Sequence, residues 1–553
     1  MRRQNVASRQ GQPGSHPADK YGMSVIKRKF IQFGASVMTT RISRRLKTGT
    51  SALRAQETAY KQLIKRIAGT AFGQDSELDG TLPYDVFRRR VPLRVYEEFH
   101  PYIDRIKAGE PNILWPGTCS LFASTSGTTF GRAKLIPMTE ALLQHFQKAG
   151  RESLLYYTAR VGHTGVLQGR HLYLGGSATP TPIDGGNGHT AFGCDLSGIA
   201  TLNLPKWADE MYYEPGDDIA RISDWQQRIN AIADRTAGKD ITLLGGIPNW
   251  IMSLGEAVLA RSVQGKIRPT YLKAVWPNLE CLVHGGVPIA PFADGIRSML
   301  GPHVNFHEVY PSCEGFVAAQ DADATFGLRL MTDVGIFFEF LPMREYVDAR
   351  LGPLGNRTIP LSAVKTGVDY ALVMTTPGGF CRYVMGDVVR FVSTDIPRLI
   401  YVGRTKLQLN LFGEQVIEKQ LTDALLSVCQ QHGWTIVNFH VAPLFSDAPA
   451  SGTSRGRHEW WIELKTPTVV TPTGPVIAAE LDAELQRINS DYATQRSGRN
   501  FEPPVVRLVM PGLFEQWMRT AGKWGGLGRM PRCRSDRHVA EELSLLARFS
   551  NDA

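Results

Sequence analysis

The sequence predicts an α/β fold in two parts. A large N-terminal body with mixed β-sheets and flanking helices is followed by a smaller C-terminal α+β domain. Three observations carry this expectation. Short apolar runs rich in β-branched residues recur along the chain, separated by longer segments of helical periodicity. The chain has 553 residues, more than one ordinary domain holds. Near Pro397–Arg404 a short strand and a Gly-Arg pair precede a change of pattern, which leaves about 150 residues for a last domain. The expected division is 1–50, a basic leader; 51–402, the body; and 403–553, the C-terminal domain.

In chain order, residues 1–22 are polar, contain Pro, Gly and Ser, and are expected to be disordered. Met23 is a second candidate start. From Ser24 to Lys47 the apolar residues Ile26, Phe30, Phe33 and Val37 recur at helical spacing among basic ones. The favoured reading is a helix packed on the body, because Gly34 interrupts the stripe and the stripe is short. A membrane-surface helix giving weak surface association, or an Arg-rich transit peptide, are the alternatives. Thr139–Ala159 has helical periodicity. Strand-like runs follow at Ile241–Leu244, Leu279–Val283, Val304–Tyr310, Gly335–Leu341, Tyr370–Thr376 and Asp387–Val392. A helical stretch is expected from Glu414, a Ser/Pro/Gly loop at Phe445–Arg457, and one helix over Ala478–Arg496 with Leu481, Leu485 and Ile488 on its apolar face. No internal repeat is seen.

Composition excludes several classes. Hydrophobic residues make up 43% and charged residues 21%, as in ordinary globular chains. No apolar run approaches the ~18 residues of a membrane span, and the N-terminus lacks the apolar core of a secretory signal. The net charge of +10 suggests nucleic acid at first sight. Residues 1–50, however, hold eleven Lys/Arg and only Asp19 as an acid, so the rest of the chain has 51 basic and 51 acidic residues. The basicity belongs to the leader, and no nucleic-acid partner is expected. The seven cysteines are dispersed, without a CxxC pair, which fits reduced thiols in a cytoplasmic protein. Oligomeric state is not encoded in any motif, and a monomer is the default.

Four segments look chemical. Ser124-Thr125-Ser126-Gly127-Thr128-Thr129-Phe130-Gly131-Arg132-Ala133-Lys134 surrounds glycines with hydroxyls and ends in a lysine. Converging backbone N–H groups, hydroxyl donors and a cation are what phosphate binding needs, although no Gly-Lys-Ser/Thr makes this a Walker A loop. Tyr310-Pro311-Ser312-Cys313-Glu314-Gly315 follows a predicted strand and offers a carboxylate suited to Mg²⁺. Thr375–Asp387 ends in an aspartate able to accept both hydroxyls of a ribose, and Gly403-Arg404-Thr405-Lys406 lies at the suspected hinge. Each has a plain reading as a turn, a helix-start acid or a surface charge. His303 and His307 fall four apart but not on a helix face, and are read as structural. HExxH is absent, and Gly452–Gly456, which has GxSxG spacing, falls in the Ser/Pro/Gly loop and is no nucleophile elbow.

In this order and at these separations the segments closely resemble the Gretchen Hagen acyl acid amido synthetases, auxin-responsive adenylate-forming enzymes of the firefly luciferase-like superfamily. The resemblance runs from about Ala52 to Leu546 and includes Phe87–Leu93, Gly109–Asn112, Gly245–Trp250, Trp276–Leu279, Glu459–Trp461 and Gly522–Gly526. A bacterial-type member is expected. The resemblance implies ATP- and Mg²⁺-dependent conversion of a small carboxylic acid to its acyl-adenylate, followed by transfer to an amine, usually of an amino acid. It places Thr125, Ser126, Gly127, Thr128 and Thr129 around the phosphates and Tyr310 near the adenine. It gives Asp387 the ribose, Glu314 the Mg²⁺, and Lys134 and Arg529 catalytic positions. Arg404 falls near the pivot of a mobile C-terminal domain.

Three positions depart from the family pattern. Arg529 stands where a lysine usually precedes the Pro-Arg pair, here Pro531-Arg532. Arginine keeps the charge but is planar and larger, so adenylation persists, slows or fails. Lys523 is a nearby substitute that catalytic geometry disfavours. Cys313 replaces serine and is read as a near-isostere rather than a nucleophile, and Cys381 replaces tyrosine, with a larger neighbouring pocket expected. Two alternatives stay open: a thiol acceptor for the acyl group, and a degenerate binding protein without turnover.

Overall fold

The structure is a computed structural model. It describes residues 33–44 and 50–551 apart from 125–133, 176–177, 187, 205, 223, 263–268, 287–288, 290–292, 347–350, 406–407, 410–413, 415, 446–455, 466–472, 498–500, 522–529 and 535.

Two sheets build the body. The smaller contains β1 (Leu121–Ser124), β2 (Leu135–Pro137), β4 (Thr181–Asp184) and β5 (Thr190–Cys194) in the order β2-β1-β5-β4. The larger has twelve strands. Its parallel half comprises β3 (Arg170–Leu174), β6 (Tyr213–Glu214), β7 (Ile241–Gly246), β8 (Cys281–Gly285) and β9 (Asn305–Ser312), ordered β9-β8-β7-β3-β6. Its antiparallel half continues from β9 through β10 (Gly315–Ala319), β11 (Leu328–Leu330), β16 (Arg398–Arg404), β15 (Tyr383–Ser393), β14 (Asp369–Thr375) and β12 (Phe337–Pro342) to β13 (Ile359–Pro360). The parallel strands are near-continuous apolar runs because helices cover them; β7 is buried over five of its six residues. The six expected strand runs all fall in this sheet, at β7, β8, β9, β12, β14 and β15.

The expected helix at Thr139–Ala159 is Glu140–Val161, with Thr139 accepting the Leu142 N–H as its cap and Gly162 closing it in the left-handed region. Its buried face joins His145, Ser153 and Tyr157 to the large sheet.

After β16, β17 (Gln408–Leu409) pairs with β18 (Val416–Ile417). A three-stranded sheet of β19 (Ile436–Phe445), β20 (Gly456–Leu464) and β21 (Val505–Leu508) then packs on the helices Glu418–His432 and Gly474–Ile488. Met530–Arg534 runs beside β19: the Val441 N–H donates to the Arg532 carbonyl at 2.8 Å, and the Arg534 N–H donates back to Val441 at 3.1 Å.

Three expectations change. The helix expected from Glu414 starts at Glu418, because Val416 and Ile417 are used as a strand. The single helix expected over Ala478–Arg496 is two, Gly474–Ile488 and Ser490–Ser497. Asn489 breaks it with an extended backbone (φ −135°) and caps the second helix by accepting the Tyr492 N–H at 2.7 Å. Near the N-terminus, residues 33–44 form a helix packed on the body, but through a different face. Ala35 and Ile42 are buried and Thr39 Oγ1 meets Thr158 Oγ1 at 2.8 Å, while Phe33 is 72% exposed and Val37 faces outward too. Ile26 and Phe30 lie outside the described residues.

Candidate active site

A cavity of about 1880 Å³ opens at the C-terminal ends of the parallel strands. Lys134, Tyr310, Glu314, Asp387 and Arg404 line it from the body, and Met530 from the C-terminal part. Five sequence-selected residues thus meet in one space, at the strand ends where open α/β sheets bind ligands.

Two hydrogen-bonded groups form within it. In the first, the Tyr310 hydroxyl donates to Asp387 Oδ2 at 2.6 Å and Arg404 Nε donates to Asp387 Oδ1 at 3.1 Å. Tyr310 lies in the C-terminal half of β9, Asp387 lies in β15, and Arg404 is the register partner of Asp387 on β16. Gly386 makes this local geometry by taking φ +93°, which a side-chain-bearing residue resists. The Asp387 carboxylate holds Arg404 firmly in its charged form. Burial, with Asp387 adding to it, pushes the Tyr310 hydroxyl far above its ordinary pKa, so it stays a donor.

In the second group, Glu314 occupies the turn between β9 and β10. The Tyr383 hydroxyl donates to Glu314 Oε1 at 3.0 Å and accepts from Lys134 Nζ at 3.1 Å. Burial, then the Glu314 charge, raise the Tyr383 pKa far above its usual value. No hydrogen-bond partner holds the second Glu314 oxygen among the described residues. The turn itself is fixed from below: His145 Nε2 accepts the Phe316 N–H at 2.8 Å while its Nδ1 faces the Val334 carbonyl at 2.7 Å. Gly315 is required by close approach, since a Cβ there would lie 2.2 Å from Ile336 Cδ1.

Part of the motif set is scaffold. Arg382 is fully buried and donates to both Glu339 oxygens, to Thr358 Oγ1 and to the carbonyls of Arg88, Val91 and Gly355. This clamp explains why Phe87–Leu93 and Thr375–Asp387 read as linked motifs: one arginine ties the helix end at Arg90 to the sheet. Cys381 is buried in the same core and does not line the cavity. Cys313 is half-buried and lines the cavity. His307 is buried against Ser153 at 2.9 Å and His303 takes φ +60° before β9, a turn rather than the strand-like setting expected for it.

Thr125, Ser126, Gly127, Thr128, Thr129, Lys523 and Arg529 lie outside the described residues. Their flanks are placed. Ser124 pairs with Leu135 across β1 and β2, so residues 125–133 join two adjacent strand ends, with Lys134 at one of them. Met530, next to Arg529, lines the cavity, and the Pro531 carbonyl is 2.6 Å from His440 Nδ1.

Sequence reasoning missed the buried tyrosine that links Glu314 to Lys134 and one arginine of the cavity wall. Tyr383 lay inside a quoted motif without a role. Arg228 carried no signal, since an arginine in an amphipathic helix ordinarily faces water.

Comparison with known proteins gives the family and the fold. The GH3 family N-terminal domain matches residues 41–305, the GH3 family central domain 329–404 and the GH3 family C-terminal domain 419–538. The chain is 25% identical to the rice (Oryza sativa subsp. indica) indole-3-acetic acid-amido synthetase GH3.8, over 86% of this chain and 87% of that one. That plant relative lends nothing to the expected bacterial type. Among solved structures, the GH3.15 acyl acid amido synthetase superposes with a TM-score of 0.71 at 18% identity, covering 93% of this chain and 96% of that one. A 2-hydroxyisobutyryl-CoA ligase in its postadenylation state superposes at 0.55 with 13% identity, covering 91% and 93%. The fold is therefore that of adenylate-forming enzymes. With three domain matches in family order from residue 41 to residue 538, the chain belongs to the GH3 family.

Proposed function

We propose that this protein is an ATP-dependent acid–amine ligase. Its carboxylic acid substrate attacks the α-phosphorus of ATP, forming the acyl-adenylate and releasing pyrophosphate. The amine of an amino acid then attacks the acyl carbon, the C–O bond to AMP breaks, and the amine proton is lost. The carrying observation is that Tyr310, Asp387 and Arg404 share one cavity with Lys134 and Glu314, which the buried Tyr383 hydroxyl links from behind.

In this reading Tyr310 packs near the adenine and Asp387, aimed by Arg404, accepts the ribose hydroxyls. Residues 125–129 and Lys134 meet the phosphates. Glu314 suits Mg²⁺, which favours one or two carboxylates plus substrate phosphates, and its unengaged oxygen is the donor such a site requires. Bound there, the ion neutralises phosphate charge. Arg529 supplies a cation at the C-terminal side. Residues 403–553 act as the moving domain, turning near Arg404 between the half-reactions. A cytoplasmic location fits seven free cysteines, and a monomer is the working assembly. Among the described residues no helix is long and apolar enough to cross a membrane. Weak surface association of residues 1–50 belongs to the same proposal.

Acid-dependent exchange of labelled pyrophosphate into ATP, over aryl, indole, fatty and amino acids, tests the first half-reaction. Amide formation over the amino acids tests the second. Exchange followed by thioester rather than amide would favour a thiol acceptor. ATP binding without exchange for any acid would favour the degenerate binding protein that Arg529 raises.

A further inference from the structure

Of the charged side chains lining the cavity that the nucleotide reading does not use, Arg228 is the one buried without a hydrogen-bond partner, among the described residues, for two of its nitrogens. Arg228, on the helix Trp225–Thr236, lines the cavity and is only 3% exposed. Its Nε and Nη1 have no hydrogen-bond partner among the described residues. The obvious local acid is engaged elsewhere: Asp224 accepts the Gln227 N–H at 2.7 Å as the helix cap. The guanidinium lies over the Trp225 ring at 5.2 Å, and Trp225 packs on Trp250 at 5.0 Å. Burial disfavours its charge, an effect only partly offset by attraction to Asp195 and Tyr213. A buried guanidinium with two nitrogens left without hydrogen bonds is costly, and a ligand that accepts from them would remove that cost.

Its place sets the ligand. Trp250 follows β7, and the cavity wall here is apolar, with Leu174, Ile232, Ile247 and Trp250. Tyr310 is on β9, separated from β7 by β8. At ordinary strand spacing β7 and β9 are about 10 Å apart, so Arg228 sits well away from the nucleotide anchors, across apolar walls. We propose that Arg228 binds a second carboxylate on the acid substrate. The preferred substrates are then dicarboxylic acids with an apolar middle, adenylated at one end and held by Arg228 at the other. This rests on the ligase reading above and names its substrate class.

The test pairs medium-chain α,ω-dicarboxylic acids, and a phenyl dicarboxylic acid, with monocarboxylic acids of the same length. Pyrophosphate exchange and thermal shift are measured for the wild type and Arg228→Met. A charged, buried hydrogen-bonded pair predicts a roughly 10- to 100-fold preference for the dicarboxylic acids in wild-type kcat/KM. Arg228→Met should lose that preference. Without ligand the variant should melt at the wild-type temperature or above, since an unpaired charge is gone; a structural arginine would melt lower. Dicarboxylic acids should raise the wild-type melting temperature and leave the variant's unchanged. A wild type that favours monocarboxylic acids, or a variant that slows all acids equally while raising the KM for ATP, overturns the proposal. If no acid supports exchange, the thermal shift separates the two ideas. A dicarboxylate shift lost in Arg228→Met keeps the binding site and removes the ligase reading, and no shift removes both.

Discussion

Replacing Tyr383 by phenylalanine removes a single oxygen and tests how Glu314 is held. The ring stays packed between Phe99 and Phe380, with centroids 6.1 and 5.0 Å away, so little cavity is created. What disappears is the donor to Glu314 at 3.0 Å and the acceptor for Lys134 at 3.1 Å. Both bonds involve a charged partner, worth about 1.5–3 kcal/mol each. If Glu314 and Lys134 act on the phosphates, one such bond lost from the transition state lowers kcat/KM for ATP by roughly 10- to 150-fold. The assay is pyrophosphate exchange at saturating acid, with ATP and Mg²⁺ varied. The loss should fall on the ATP and Mg²⁺ dependence and leave the KM for the acid unchanged. A variant within about twofold of wild type in all these constants, but melting lower, would refute the reasoning: the hydroxyl would then serve stability alone.

Other perturbations probe the scaffold and the remaining cation. Arg382→Met leaves Glu339 buried and unpaired, and should destabilise the protein by about 3–5 kcal/mol, read as an earlier chemical-denaturation midpoint. Burial lowers the pKa of His145, His284 and His440 to about 4 and of His307 to about 3. Between the unfolded value near 6.5 and these folded values the unfolded chain binds more protons, so stability is full above ~6.5 and falls as pH drops, by up to about 3 kcal/mol per histidine. Denaturant titrations from neutral pH down to about 4 should show this loss, and His145→Gln should shrink it. Arg529→Lys should retain or raise the exchange rate, whereas Arg529→Ala should lower it by about 10- to 1,000-fold; equal rates for all three would mean that this position makes no contact with the reacting groups.

The parts of the fold legible in the sequence were those set by local pattern. Parallel strands such as β7 carry unbroken apolar runs, and Thr139 and Gly162 mark the two ends of a helix with recognisable cap chemistry. The break at Asn489 was not legible, because the apolar period of Leu481, Leu485 and Ile488 runs up to the asparagine and its side chain is fixed by a tertiary bond, Nδ2 donating to Gln420 Oε1 at 2.9 Å, besides the local cap to the Tyr492 N–H. The packed face of residues 33–44 was misjudged for a related reason. Periodicity favoured the large side chains of Phe33 and Val37, but close approach to the body selects Ala35 and Ile42. Within the site, Tyr310, Glu314, Asp387 and Arg404 could be found because their order along the chain matched a family. Tyr383 could not be ranked, since its importance is a pair of contacts to residues 69 and 249 positions away.

The two buried arginines show what burial alone cannot decide. Arg382 and Arg228 are both shielded from water, and neither is distinguishable by residue type. Arg382 makes six hydrogen bonds, two of them to the Glu339 carboxylate, so its charge is balanced within the fold. Its removal should therefore cost stability. Arg228 has two of its nitrogens without a hydrogen-bond partner among the described residues and faces a cavity, so the fold recovers the desolvation cost only in part. Its removal should cost recognition and spare stability. Opposite signs for these two substitutions in one thermal-melt experiment would separate an arginine that builds the site from one that reads the substrate.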